Sequence, residues 1–481
     1  MSQILLVHPV YSGTKKRSKH RSLPAPSLGV NHLATRLCSD GLKTYVIDDF
    51  FIMYRGGDPT FFDSWLSECV RVIKLYRISI IGVSILTHFR ALAYDICQTI
   101  KKLYPHIKII LGGPHISTLG SYVLSHVQPF ADAIFVGEAD NVITDVVKTV
   151  LSDDEECTIP GLVFTNRPPR KWPVYQQVEV QHHVVMPTYR NYPDSISQFS
   201  RINIMTSRGC PTPFCTFCAI KNGGEKFRTR SFEQSRGEIL QAVENGAKII
   251  EIHDSIFLLS TKRIRSIFTG LNLGNISEFH CHTRPRDIRP EMLKIIAETG
   301  RKWKIVVGVE SISQQLRKSI CKSDTIDKDT IELSNNIKLA RELGIQIGVF
   351  LIFGLPGETV SDFRKTYNFI ANTEIDDIFC TILKYLPGSQ LFFDASVRGV
   401  ISPNDFARPD GPITYYVPTG DNLLRALAAI SIFSEDFPQV GEHNRLEFTH
   451  MEKIRKENRY WEIYKIVSEG LRGVSSSITV P

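Results

Sequence analysis

Short apolar runs alternate with helix-spaced segments twice along this chain, and that double alternation limits the folds open to it. In the first block, strand patterns run over Ile4–Val7, Thr44–Ile47, Ile80–Ser84, Ile107–Leu111 and Ala133–Val136. Between them, apolar residues recur at helical spacing, as in Val30, Leu33, Ala34, Leu37 and Cys38, which Gly41 terminates. The strands read as continuous apolar runs, which predicts a parallel sheet covered on both faces by helices. Ligands of such open, doubly wound sheets bind beyond the carboxyl ends of the strands. Those ends are His8–Ser12, Asp48–Asp49, Ser84–Thr87, Gly112–His115 and Gly137–Asp140. No Gly-x-Gly-x-x-Gly follows the first strand, so a dinucleotide fingerprint is absent.

A second alternation begins near residue 202. Strands are expected over Ile202–Met205, Lys248–Ile252, Glu278–His282, Trp303–Val309, Gln346–Phe353 and Ile378–Lys384. Helical patterns occupy the gaps, around 231–245, 261–270, 290–299, 327–343 and 359–373. Six strand–helix units predict a partial (β/α)6 TIM-like barrel, with its chemistry in the loops after the strands. Between the blocks, six prolines from Pro160 to Pro193 mark a linker with short β pieces such as Gly161–Phe164. The expected organisation is α/β throughout: a Rossmann-like domain over 1–152, a linker over 153–200 and a barrel over 201–395. A small, mainly helical accessory region follows over 396–481, with helices near 421–434 and 450–470.

Composition excludes several classes. At 42% hydrophobic and 22% charged residues, the chain is globular material. Its 57 Lys+Arg against 50 Asp+Glu leave a net charge of +7. That is too weak an excess to mark a nucleic-acid partner. The longest uncharged apolar stretch, Ile347–Leu355, is too short for a membrane span. Without a basic n-region or a long apolar run at its start, the chain is expected in the cytoplasm. Lys15–Arg21 is the sharpest basic run, read as a solvated loop or as a means of steering an anion.

Ten cysteines are too sparse in 481 residues for a disulfide scaffold. Cys38, Cys69 and Cys97 fall on apolar helix faces and Cys380 in a strand, where a free thiol packs as a small hydrophobe. Cys281 and Cys321 lean towards the same role. Cys210, Cys215 and Cys218 are different, because they share the loop after the first barrel strand. Three thiolates can hold an iron–sulfur cluster with one position open, or a zinc ion completed by a distant residue such as Cys281 or His282. An open iron can bind and activate a small molecule. A thioredoxin-like role for Cys215 and Cys218 lacks the fold context.

The stretch Ser207-Arg208-Gly209-Cys210-Pro211 through Phe217-Cys218 resembles the signature of radical S-adenosylmethionine (SAM) enzymes. Thr283-Arg284-Pro285-Arg286-Asp287, Gly308-Val309-Glu310-Ser311, Gly354-Leu355-Pro356-Gly357-Glu358-Thr359 and Leu386-Pro387-Gly388-Ser389 follow in that family's order. Pro26-Ser27-Leu28-Gly29, Ile80–Ser84, Leu111–His115 and Val136-Gly137-Glu138 are similar to the cobalamin-binding domain fused to a subgroup of these enzymes. The resemblance covers about residues 1–395.

The resemblance implies a 4Fe–4S cluster on Cys210, Cys215 and Cys218, with SAM chelated at the fourth iron and cleaved to a radical that takes hydrogen from substrate. It implies Phe217 against the adenine, Glu310 near SAM polar groups, Gly354 as a close backbone approach, and Asp254 as a further SAM contact. Ser84, Thr87, Gly112, Gly113 and Glu138 are the implied cobalamin contacts, and His115 is a further candidate. No Asp-x-His-x-x-Gly axial-ligand motif is present, as in that subgroup. The implied reaction is methyl transfer to an unactivated carbon of a small molecule or peptide, with an external donor such as flavodoxin or ferredoxin. Cyclisation, rearrangement or oxidation without methyl transfer is the enzymatic alternative, and a cobalamin- or metal-binding regulator the non-enzymatic one. Two departures stand out. The family spacing is usually Cys-x3-Cys-x2-Cys, whereas here it is Cys-x4-Cys-x2-Cys with Pro211 and Pro213 inside. His253 stands where the family often has Asp, and is read as a packed strand-end residue.

Overall fold

The computed structural model describes residues 3–10, 24–154, 158–173, 175, 177, 189–196, 199–211, 215–220, 226–322, 330–411, 416–440 and 458–472. The basic run at 15–21, Cys157, Pro213 and Tyr415 lie outside them.

The first sheet contains β1 (Gln3–Val7), β2 (Thr44–Ile47), β3 (Ile78–Ser84), β4 (Lys108–Gly112), β5 (Ala133–Phe135) and β6 (Leu162–Phe164). Their order is β2-β1-β3-β4-β5-β6. All neighbours are parallel except β6, which pairs antiparallel with β5. β6 comes from the segment read as linker, so the first sheet draws on chain beyond residue 152. β2 is buried at every position and β1 at four of five, as strands covered on both faces require. The helix Leu28–Ser39 matches the periodicity. Its Cys38, however, is exposed and donates to Asn191 Oδ1 at 3.3 Å, because one apolar residue at the edge of the stripe falls beyond the packed face.

Several short helices escaped the pattern, two of them at strand ends of the first sheet. Asp49–Tyr54 starts where Asp48 accepts from the Phe51 amide, so Asp48 caps a helix at that strand end. Pro114–Leu119 starts on a proline after Gly113, whose φ of 90° favours glycine.

The second sheet contains β7 (Arg201–Ile204), β10 (Ile249–Ile252), β11 (Glu278–Thr283), β12 (Lys302–Glu310), β13 (Ile345–Phe353) and β14 (Asp377–Ile382). A small antiparallel pair, β8 (Ser207–Arg208) and β9 (Arg228–Thr229), stands between β7 and β10 in the chain. The six large strands run in parallel in the order β14-β13-β12-β11-β10-β7. Helices cover the outer face. Phe232–Glu244 and Val360–Ala371 begin on capping boxes, Ser231 with Gln234 and Thr359 with Asp362. Cys69, Cys97, Cys281 and Cys380 are buried, and Cys321 is exposed at a φ of 53° that ends a short helix.

The C-terminal helices Gly420–Asp436 and Asn458–Arg472 pack on the barrel. Phe433 meets Phe353 and Tyr367 edge-on, and Arg472 binds Glu435 and Asp436. Trp461 packs against the same core. Residues 189–196 and Phe199 tie the two sheets together. Tyr192 donates to Asp48 at 2.8 Å and Tyr189 to the Asn203 carbonyl at 2.7 Å, amid the rings of Phe50, Phe51 and Phe199.

Candidate active site between two sheet edges

The carboxyl ends of both sheets face one cavity of about 610 Å³. The first sheet contributes His8, Ser84, Leu86, Pro114 and Glu138, and the barrel contributes Asn203, Met205, Ser207, Arg208, Gly209 and His253. A second cavity of about 240 Å³ runs into the first domain. It shares Gly29, Val30, Ser84, Glu138 and Arg208 with the larger one. Its wall is apolar (Ile4, Leu6, Ile80, Ile110, Phe135) and includes Gly112 and Gly113. A methyl group on Gly29 or Gly112 would meet no heavy atom closer than 3.9 Å, so both present bare backbone to open space. Gly113 is needed for the turn itself, since a Cβ there would lie 2.7 Å from the Ile85 nitrogen. An apolar portion of a larger cofactor fits this cradle, with the rest of it in the adjoining cavity.

Of the implied cobalamin contacts, Ser84, Gly112, Gly113 and Glu138 line the two cavities, whereas Thr87 does not. Its hydroxyl is held at 3.2 Å by His115, whose other ring nitrogen meets Tyr94 at 2.9 Å. His115 is fully buried, so it is neither an exposed strand-end residue nor a cavity-lining one. Burial takes its pKa down to about 3 and keeps it neutral.

On the barrel side, Cys210, Cys215 and Cys218 are half-buried in one loop, with the Cys218 amide bonded to the Cys215 carbonyl at 3.1 Å. Burial pushes the Cys215 thiol up to about 12, against the pull of the Lys322 ammonium, and raises Cys218 as well. Among the described residues, no three such side chains converge as a single ion requires. A cluster asks something different, because each thiolate binds its own iron around a shared volume. Cys281 packs in the core, and His282 stacks on Phe350.

Glu310 ends β12 at a φ of 64° and is buried against Lys322, with Oε1 2.5 Å from Nζ. The ammonium also donates to the Gly308 carbonyl at 2.7 Å. A Cβ on Gly308 would lie 2.8 Å from Glu310 Oε1 and 3.1 Å from Lys322 Nζ, so glycine leaves the ion pair its room. Lys322 carries no local motif and was missed in the sequence. Phe217 packs beside Leu316, Ile320, Ile352, Leu355 and Leu383. Gly354 has a φ of 78°, and the Pro418 ring takes the space its side chain would fill, 2.6 Å from a Cβ. The close approach at Gly354 is therefore to Pro418. Asp254 is buried and accepts from the Thr206 amide, the Thr206 hydroxyl and the Ser207 hydroxyl, each at 2.6 Å. It braces the start of the cysteine loop and does not line the cavity. His253 is half-exposed, lines the cavity and bonds Asn203 at 3.0 Å, so it is not a packed residue.

Residues 204–370 match the radical SAM superfamily, and residues 20–147 match the B12 binding domain. The uncharacterized methyltransferase PH0819 of Pyrococcus horikoshii is 26% identical over 81% of this chain and 82% of its own. Cytidylyl-2-hydroxyethylphosphonate methyltransferase of Streptomyces wedmorensis is 23% identical over 79% of each. The solved structure of the radical SAM methyltransferase TsrM from Kitasatospora setae, with tryptophan and a SAM analogue bound, shares the fold. Its TM-score is 0.69 at 18% identity, covering 92% of this chain and 90% of that one. The chain belongs to the radical SAM superfamily, and within it to the members that join a B12-binding domain to a radical SAM domain.

Proposed function

We propose that the protein transfers a methyl group to an unactivated carbon of a small molecule or peptide. The observation that carries this reading is the meeting of two sheet edges across one cavity, with the cysteine loop at its rim. When bound, the cluster and SAM supply one-electron chemistry and cobalamin supplies a transferable methyl group. Cys210, Cys215 and Cys218 would hold the cluster. Ser84, Gly112, Gly113 and Glu138 would contact cobalamin, with Gly112 admitting it by lacking a side chain. Phe217 and Glu310 are assigned to the SAM side, with Glu310 oriented by Lys322, whereas the space beside Gly354 is taken by Pro418. Asp254 shapes the loop from behind, and Thr87 does the same for the first sheet through His115. Walls from both domains line the space between the two cofactor sites.

The two named methyltransferases support the reading, since each aligns with about four fifths of the chain. No helix among the described residues is long and apolar enough to cross a membrane. The enzyme would work in the reducing cytoplasm, with electrons from a flavodoxin or ferredoxin.

The test uses SAM carrying a deuterated methyl group, reconstituted enzyme, a strong reductant and an extract of a strain lacking the gene. A product heavier by the labelled methyl supports methyl transfer. A product that forms without label assigns the chain to cyclisation, rearrangement or oxidation instead.

A further inference from the structure

The cysteine loop leaves the barrel at β8 and returns at β9, so its two ends are an antiparallel pair. Ser207 stands opposite Thr229, and Arg208 opposite Arg228. The ends are in close contact, since a Cβ on Gly209 would lie 2.8 Å from the Lys226 carbonyl oxygen. Like charges directly across a strand pair repel. Here the compensating carboxylates come from the other domain. Arg208 reaches Asp140 with two nitrogens at 3.0 and 2.6 Å, and Arg228 reaches Glu138 with two nitrogens at 2.8 Å each. Arg208 also lies 3.4 Å from Glu138. All four side chains are at least 86% buried, and forked pairs of this kind fix orientation as well as charge. Burial opposes the Asp140 charge, but Arg208 more than offsets it and takes the carboxyl down to about 2.

Glu138 has a second position in the architecture, because it lines both cavities of the first domain. One carboxylate therefore touches the space assigned to cobalamin and neutralises the neck of the loop assigned to the cluster. We infer that Glu138 and Asp140 are positioning residues that couple the two cofactor sites, so that each cofactor binds more tightly when the other is in place. This rests on the cofactor assignments above. By linkage the coupling is reciprocal. A cluster that ties the three cysteines together constrains Arg208 and Arg228 at the loop's neck, and these hold the carboxylate at the cobalamin wall.

The experiment titrates the full chain with hydroxocobalamin, followed by visible absorbance, with and without the reconstituted cluster. Replacing Glu138 alone leaves Arg228 buried without its carboxylate, so the decisive variant is the paired E138Q/R228Q, which removes both charges. Changing Glu138 can weaken cobalamin binding in both states, so the readout is the affinity ratio. Wild type should bind cobalamin about fivefold or more tightly with the cluster present, and the paired variant should hold both cofactors with a ratio below about twofold. Iron loss to a chelator should slow on adding cobalamin in wild type alone. A wild-type ratio of one, or an unchanged ratio in the paired variant, overturns the coupling while leaving the cofactor assignments standing. A wild-type chain that binds neither cofactor overturns both.

Discussion

Gly112 and Gly113 end the fourth strand of the first sheet in bare backbone, whereas Gly308 and Glu310 end the fourth barrel strand around a buried ion pair. Both sheets have six strands with largely parallel pairing, and both direct their carboxyl edges at the same cavity. The first domain forms its side of the site by withholding side chains over an apolar wall. The barrel gathers polar head groups instead: the loop that leaves the cavity wall at Gly209 carries three thiols, and Glu310 and Lys322 stand near enough to act on Cys215. The two halves should therefore fail in opposite ways, the first when atoms are added and the second when polar head groups are removed.

The largest effect should come from replacing Cys210, Cys215 and Cys218 together by Ala. Iron content after anaerobic reconstitution should fall from about four per chain to near zero. Retained hydroxocobalamin binding in that variant would show that the first domain keeps its own site.

Next is Lys322→Met, which leaves Glu310 buried without its ion-pair partner. Breaking one side of a buried pair costs about 3–5 kcal/mol. Chemical denaturation should show a loss of that order, and isothermal titration should show weaker SAM binding.

In the first domain the sign reverses. Gly112→Leu should weaken cobalamin binding about tenfold or more, near 1.4 kcal/mol, by filling the cradle. Gly112→Ala should do far less, because its methyl would meet nothing nearer than 3.9 Å. Iron content should not change in either variant. If Gly112→Leu lost iron and kept cobalamin, the contrast between the halves would be wrong.

The most gradual effects lie in pH dependence. His115 is held neutral with a pKa lowered to about 3. Its contribution is complete above the unfolded value of about 6.5 and is lost as pH falls from there towards 3. Glu358 in the barrel shows the opposite behaviour. Burial raises its carboxyl to about 8 even though the Gly354 and Leu355 amides bond to it. Its contribution is complete below about 4.5 and is lost as pH rises through 8. Each slope is at most about 1.4 kcal/mol per pH unit. Thermal unfolding of His115→Gln should be less sensitive to acid than wild type, and that of Glu358→Gln less sensitive to base.

How much was legible in the sequence follows from the range of each interaction. The helix Leu28–Ser39 and all six barrel strands declare themselves by period, because burial repeats along the chain. The cysteine loop is local and equally plain. The helix Asp49–Tyr54 was hidden, since six residues are too few to show a period. Lys322, Arg228 and Asp140 act through partners 12, 90 and 68 positions away, and no local pattern announces such pairs. Asp254 and Thr87 stand at strand ends, where ligand contacts are expected. The direction of each side chain was decided by neighbours, Thr206 with Ser207 and His115, that only the folded chain brings together.

The central claim is that the cysteine loop carries a cluster with an iron open to SAM. Its most direct test is electron paramagnetic resonance of the reconstituted, chemically reduced protein before and after SAM is added. The account predicts a cluster signal that changes when SAM binds and disappears with the triple cysteine replacement. A signal indifferent to SAM, or one that survives loss of all three cysteines, would contradict it.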